Sequence, residues 1–193
     1  MQNNTLRIVG GQWRGQKFTF PPIKGVRPTP DRVRETVFNW LMHDTHNAQC
    51  LDLFSGSGAL GLEALSRGAK HVTFVEAHPR MAEQLKHTFQ RFDLDYEQAL
   101  LSQSKVNKWL QRDAVTQFDL VFLDPPFYQH WLADCLQWLE QYQWLSPGAL
   151  IYVEHERDLL VQGMLPEHWQ CRKFKQAGEV GFALLQAPGG EDE

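Results

Sequence analysis

The sequence predicts an α/β protein: a mostly parallel sheet of seven strands with helices on both faces, a C-terminal antiparallel hairpin and a small N-terminal β-hairpin. Two observations predict it. From Cys50 onward, short and nearly continuous apolar runs alternate with stretches of helical periodicity, the pattern of β-α units whose strands are covered on both sides. After the last unit, "WQCRKFKQAGEVGFALLQ" holds two β-prone runs about Gly178 and closes as a hairpin.

The elements follow in order. "LRIVGGQWRGQKFTFPP" carries two β-prone runs around Gly10-Gly11 and Gly15, hence a small hairpin. "VRPTPDRVRETVFNWLM" predicts a helix with Thr29 as N-cap and Pro30 at the first helical position. Val33, Val37, Trp40 and Leu41 fall on one of its faces, with Arg32 and Arg34 pointing elsewhere. "CLDLF" and "HVTFVE" are the first two apolar strands, "QALL" a weak third, "FDLVFL" the fourth and "GALIYVEHE" the fifth. Between them "ALGLEALSRG" is a helix stopped by Gly68, "PRMAEQLKHTFQRF" one with Pro79 near its start, and "KVNKWLQR" and "LADCLQWLEQY" two more. The expected organisation is a basic extension over residues 1–28, one domain over 29–187 and a flexible acidic tail over 188–193.

Composition narrows the class. Hydrophobic residues make up 42% and charged residues 22%, ordinary values for a globular chain of 193 residues. No apolar run approaches the ~18 residues of a membrane span, and "MQNNTLR" is no signal peptide. Cys50, Cys135 and Cys171 are scattered and never paired as C-x-x-C, and the histidines show no metal-binding spacing. The expectation is a cytoplasmic monomer with no disulfide and no metal. Charge is uneven: residues 1–49 hold seven Lys/Arg against three Asp/Glu, while the rest of the chain is acidic enough to bring the net to −4. A basic leader on an acidic body suggests one local surface for a polyanion.

In a doubly wound sheet, ligands bind beyond the carboxyl ends of the strands. That places Phe54–Gly58, Glu76 and Asp124–Phe127 along one rim. "GSGALG", Gly56 to Gly61, has the G-x-G-x-x-G spacing of a tight strand-to-helix turn, and Glu76 ends the next strand where ribose hydroxyls would reach it. Both features suit a nicotinamide dinucleotide. Asp52 does not, because a carboxylate beside a pyrophosphate adds repulsion. A cofactor with a sulfonium and an ammonium is favoured there, and S-adenosylmethionine has both. "DPPF", Asp124 to Phe127, likewise has no role in hydride transfer. It suits methylation of an exocyclic amino group, whose lone pair is delocalised into the ring. The Asp124 carboxylate and the Pro125 carbonyl, aimed by two prolines, accept the N–H groups, and Phe127 offers a face for an extruded base.

Taken together, "LDLFSGSGALGLEALSRGA", "FDLVFLDPPF" and the leader "RIVGGQWRG…RPTPDRVRETVFNWL" resemble the bacterial 16S ribosomal RNA guanine-N2 methyltransferases of the RsmD type, over about residues 6 to 185. The leader is the specific part, since the glycine loop and DPPF are shared with many amino-methyltransferases. The resemblance implies a Rossmann-like class I methyltransferase that uses S-adenosylmethionine on a guanine amino group in 16S rRNA of the small ribosomal subunit or its assembly intermediate. It implies that Asp52, Ser55, Gly56 and Gly58 border the cofactor, that Glu76 meets its ribose and that Thr29 lies near its mouth. Asp124, Pro125 and Phe127 would handle the base, and Arg14, Arg27, Arg32 and Arg34 would face RNA. One departure is visible: where the family has Asn or Asp followed by Ala near the adenine, this chain reads "LSQSKVNKWL", with Ser104 the nearest stand-in.

The residues have readings of their own beside this. Arginines grip phosphates, and Gly10, Gly11 and Gly15 permit close backbone approach. Trp13 either stacks on a base or pins the hairpin to the body, and Arg34 either meets RNA or pairs with a carboxylate of the body. Trp109, Trp131, Trp138, Trp144 and Trp169 suit core or rim packing. Three other functions compete: a DNA or RNA adenine-N6 methyltransferase, a non-catalytic RNA-binding assembly factor on the same scaffold, and a nicotinamide dehydrogenase. The chain leaves no room for a separate target-recognition domain of a DNA reader, and an assembly factor needs neither Asp52, Glu76 nor DPPF.

Overall fold

A computed structural model describes residues 3–23, 29–127 and 131–189. Arg27 and residues 190–193 of the acidic tail lie outside them. Seven strands form one sheet: β3 (Gln49–Leu53), β4 (His71–Glu76), β5 (Ala99–Gln103), β6 (Phe118–Leu123), β7 (Leu145–Glu156), β8 (Gln170–Ala177) and β9 (Val180–Gln186). Their order is β5-β4-β3-β6-β7-β9-β8, parallel from β5 to β7, with β9 antiparallel to both its neighbours. The chain passes from one side of β3 to the other between β5 and β6. The topological switch point therefore lies between β3 and β6.

The register sets the site. Leu53 lies level with Val75 on one side and Leu123 on the other. Phe54, Glu76 and Asp124 therefore leave the sheet side by side. Asp52 is level with Phe74 and Phe122, and Phe122 with Tyr152. Because side chains alternate along a strand, Glu76, Asp124 and Glu154, each two residues beyond one of those aromatics, share the sheet face that Asp52 occupies.

That face packs against α1 (Asp31–Trp40), α2 (Ala59–Ser66) and α3 (Pro79–Arg91), where Val37, Phe38, Leu62 and Leu85 are buried with Phe74 and Phe122. The opposite face, with Leu51, Leu53, Val121 and Ile151, is covered by α4 (Val106–Leu110) and α5 (Trp131–Gln141). Trp109 and Trp144 stack there at 4.3 Å, as core packing requires. Gly61 is the point where α2 meets the sheet. A Cβ at Gly61 would stand 2.3 Å from Cε1 of Phe74 and 2.9 Å from Oδ2 of Asp52, so only glycine lets the helix seat.

The N-terminal hairpin, β1 (Asn4–Arg7) against β2 (Lys17–Phe20), forms its own two-stranded sheet but shares the core of the body through Ile8 and Phe18. Trp13 lies 4.8 Å from Phe92, which resolves its two readings in favour of pinning the hairpin. The glycine pair likewise approaches the body: a Cβ at Gly11 would stand 1.9 Å from the carbonyl oxygen of Ser66.

Two expectations about α1 need correction. Thr29 does not cap it; the helix follows Pro30 with no side-chain cap, and the Thr29 hydroxyl is engaged elsewhere. Arg34 does not face RNA. It is fully buried, its Nε donating to the Thr29 carbonyl at 3.3 Å and its Nη1 to the Arg7 carbonyl at 2.9 Å. Its guanidinium also pairs with Asp31 and, at 3.4 Å, with the buried Glu63. Glu63 in turn accepts from the Val9 amide at 2.9 Å and from Arg67 at 2.9 Å.

Removing one partner of such a buried pair strands the other. Arg34→Ala is expected to cost about 3 kcal/mol, a loss of roughly 10 °C in melting temperature for a chain of this size. Arg32→Ala, at an exposed position, is expected to change it little. Thermal and urea melts followed by circular dichroism test this, and equal melts for the two variants would refute it.

Candidate active site

A cleft of about 760 Å³ opens at the switch point. Its lining includes Thr29, Asp52, Phe54, Ser55, Gly56, Glu76, Asp124, Pro125, Phe127, Trp131 and Glu154. The elements explain how each arrives there. Phe54 takes a left-handed φ of 57°, an uncommon conformation for a bulky side chain, as the chain leaves β3. Its ring meets Trp131 edge-on at 5.7 Å. Ser55 closes the turn, its hydroxyl donating to the Asp52 carbonyl at 2.7 Å and its amide to the Val75 carbonyl at 3.0 Å.

Two carboxylates hold the loop from below. Asp52 Oδ2 accepts from the Gly61 amide at 3.0 Å. Glu76 accepts from the Gly56 amide at 2.7 Å and from the His78 amide at 2.6 Å, tying the ends of β3 and β4 together. Burial raises the proton affinity of Asp52 well above the ordinary carboxylate range, the Gly61 amide lowers it and the charge of Glu76 raises it again.

The opposite wall is a second acidic pair. Glu154, buried on β7, accepts from the Thr29 hydroxyl at 2.7 Å and from the Tyr152 hydroxyl at 2.9 Å. Asp124, half-buried at the end of β6, sits beside it. Burial is the first cause that raises Asp124 well above the usual range; the charges of Glu154 and Asp52 add to it, and the Thr29 hydroxyl opposes it. Glu154 is also raised by burial, against its two hydroxyl donors. Phe127 and Trp131 stand half-buried at the side of the cleft.

The donor set suits one kind of cofactor. Among the described lining residues are Asp52, Glu76, Asp124, Glu154 and Glu179, with Lys105 as the only Lys or Arg. A pyrophosphate would meet carboxylates on several sides. A sulfonium, an ammonium and ribose hydroxyls would meet acceptors.

The expected site residues are brought together except for Gly58 and the four arginines. Gly58 does not line the cleft; it lies behind the loop, where a Cβ would meet Leu85 at 2.5 Å. Arg34 is enclosed by the body, and Arg27 lies outside the described residues. Arg14 is exposed on the leader and does not line the cleft, and Arg32 is exposed near its mouth, close to Pro30 and Val33. Ser104 also misses the lining. Val106 and Asn107 take the place expected for it, and the Ser104 hydroxyl donates to the Lys105 carbonyl at 3.2 Å.

Glu154 and Trp131 were not anticipated as site residues. Glu154 reads as one more polar position in an apolar strand, and its partner Thr29 lies 125 positions away. A signal did exist: two glutamates in "YVEHE", both in phase with the inward-facing Tyr152, placed at the carboxyl end of a strand next to DPPF.

The family described as conserved hypothetical protein 95 matches residues 6–186. Curated relatives include the ribosomal RNA small subunit methyltransferase D of Haemophilus influenzae, 46% identical over 94% of this chain and 93% of that protein. The protein of the same name from Escherichia coli strain K12 is 43% identical over 94% of this chain and 89% of that one. Among solved structures, a methyltransferase from Escherichia coli superposes with a TM-score of 0.85 at 41% identity, covering 97% of this chain and all of the other. A Thermus thermophilus 16S rRNA N2 methyltransferase in complex with S-adenosylmethionine and guanosine shares the fold, with a TM-score of 0.69 at 23% identity over 98% of this chain and 50% of its own. The match of nearly the whole chain, with S-adenosylmethionine as the cofactor that the cleft's acceptors fit, shows that the protein belongs to the family of the small-subunit ribosomal RNA methyltransferases D.

Proposed function

We propose that this protein methylates the exocyclic N2 amino group of a guanine in 16S rRNA, within the small ribosomal subunit or a particle on the way to it. One observation carries the reading: Asp124, Pro125 and Phe127 leave the sheet at the switch point, in the same cleft as the carboxylate-held glycine loop. The names of the relatives at 43–46% identity supply the substrate class, small-subunit rRNA.

S-adenosylmethionine supplies, when bound, a methyl group on a positively charged sulfur. The chain's own groups do the rest. Asp52, Glu76 and the Ser55–Gly56 backbone hold the cofactor's polar ends. Asp124 accepts one N–H of the amino group and the Pro125 carbonyl a second, drawing the nitrogen out of conjugation. Phe127 and Trp131 hold the extruded base flat, an arrangement worth ~1–3 kcal/mol per stacked ring. As the nitrogen gains its methyl it becomes acidic. Its proton then passes to Asp124, whose affinity for a proton is raised by its burial and by Glu154 beside it. Positioning, with the nitrogen aligned against the methyl, supplies the larger share of the rate.

Incubation with methyl-labelled S-adenosylmethionine and small ribosomal subunits lacking the modification, followed by digestion to nucleosides, is expected to yield 2-methylguanosine. A 6-methyladenosine product would transfer the same geometry to adenine, and no incorporation at all would favour an assembly factor. Asp124→Ala is expected to reduce the rate of transfer by at least 10²-fold while the cofactor still binds; lost binding with normal turnover at saturating cofactor would refute its role.

The pH dependence has a definite sign. Asp124 must be ionised to accept an N–H, and its proton affinity is raised, so transfer is expected to fall with decreasing pH at values above the ordinary carboxylate range. Glu154→Gln keeps an acceptor for Thr29 but removes one negative neighbour. It is expected to move that acid limb to lower pH, and an unmoved limb in single-turnover assays would separate Glu154 from the chemistry.

A further inference from the structure

The strand β8 is one edge of the sheet, and every residue from Arg172 to Ala177 is exposed. The stretch "QCRKFKQA" carries Arg172, Lys173 and Lys175 and no acid, in a chain whose net charge is −4. Lysines on an edge strand also keep other strands from pairing with it, so their presence alone assigns nothing. Their placement says more. Lys173 and Lys175 lie opposite Leu184 and Phe182 of β9, on the face of the sheet that α1 covers. The Nζ atoms of both stand 5.9 Å from the centre of the Trp40 ring, which itself stacks on Phe182 at 5.4 Å. Both ammonium groups thus stand over a half-buried aromatic ring.

The strand also leads somewhere. Two residues beyond Lys175, the turn from β8 to β9 reaches the cleft, and Ala177, Glu179 and Val180 line it. On the other side of the mouth, Pro30 and Val33 line it from the start of α1, next to the exposed Arg32. Two lysines on one side of a strand stand about 7 Å apart, comparable to one nucleotide step along an extended RNA strand.

We propose that the exposed edge strand β8, through Lys173 and Lys175 on their Trp40 support, is a track for RNA phosphates flanking the nucleotide that enters the cleft. The proposal rests on the rRNA reading above. It assigns to the C-terminal hairpin a substrate contact that the basic leader was expected to supply alone. The contact is electrostatic and positions the strand without reading its sequence.

The test compares Lys173→Gln/Lys175→Gln with wild type and with Lys70→Gln/Lys86→Gln, the same change of charge at exposed positions away from the mouth. Small ribosomal subunits lacking the modification serve as substrate, with filter retention as a direct measure of binding. The β8 variant is expected to raise KM for subunits about tenfold at moderate salt, with kcat and the Kd for S-adenosylmethionine unchanged. The slope of log affinity against log salt is expected to fall by about 2. Lys173→Arg/Lys175→Arg is expected to restore both. Unchanged KM and slope in the β8 variant, an equal rise in the control variant, or self-association of the β8 variant at normal affinity would each overturn the track. If wild type transfers no methyl yet the β8 variant still loses retention and slope, the track stands and the catalytic reading falls.

Discussion

A guanidinium with no surface of its own must have its donors taken up by the protein, and Arg34 meets that condition by joining parts of the chain that are remote in sequence. It holds the end of β1 through the Arg7 carbonyl, α2 through Glu63 and the first turn of α1 through Asp31. Its remaining contact, Nε on the Thr29 carbonyl, is the one that reaches the cleft. Fixing that carbonyl fixes the residue whose hydroxyl donates to Glu154, and Glu154 is the charge beside Asp124. The hairpin, the first helix and the chemistry of the cleft thus share a single buried cation. A charge placed so deep rarely stabilises more than well-packed apolar residues would. Its use here is to specify one arrangement of the leader relative to the sheet.

The cleft itself runs against stability. Asp52, Glu76, Asp124 and Glu154 converge from neighbouring strands of a sheet whose centre is otherwise aliphatic and aromatic. Hydrogen bonds from the Gly61, Gly56 and His78 amides and from two hydroxyls offset part of the desolvation cost. Among the described residues the lining offers one ammonium, that of Lys105. A cationic cofactor completes this balance, so binding it also relieves repulsion that the folded chain otherwise carries. The same excess of negative charge raises the affinity of Asp124 for a proton.

The sheet, its strand types and the rim were legible because they rest on patterns of short range. Apolar runs mark β3, β4, β6 and β7, and a glycine at position 61 is demanded by contact with Phe74. Even the weak third strand formed, paired along Ala99–Gln103 with β4. What escaped reading was the choice between two uses of one group. Thr29 before Pro30 satisfies every local rule for a cap, yet a carboxylate from β7 at 2.7 Å takes its hydroxyl. Arg34 sits on a helix face that polarity alone assigns to solvent, and only the fold brings Glu63 to it. Val106 and Asn107, not Ser104, meet the cleft because α4 begins one residue after Lys105 and turns Ser104 away.

These reassignments shift where RNA can be held. With Arg34 enclosed, Arg7 paired to Asp31 at 2.7 Å and Trp13 packed on Phe92, the leader is tied to the body through several of the groups that looked free. Its net positive charge is therefore partly structural, and counting cations by sequence segment overstated its reach. Among the described residues, exposed cations beside the mouth come from both ends of the domain, Arg32 at the start of α1 and Lys175 near the end of β8, in addition to Lys105 in the lining. They flank a cleft whose interior is acidic. A polyanion drawn to that rim is repelled from the floor, so the phosphates stay outside and only an uncharged base has reason to enter. On the proposed reading, the sign of the charge at each depth does the sorting: cations at the rim for the backbone, acceptors within for the amino group and the sulfonium that must meet.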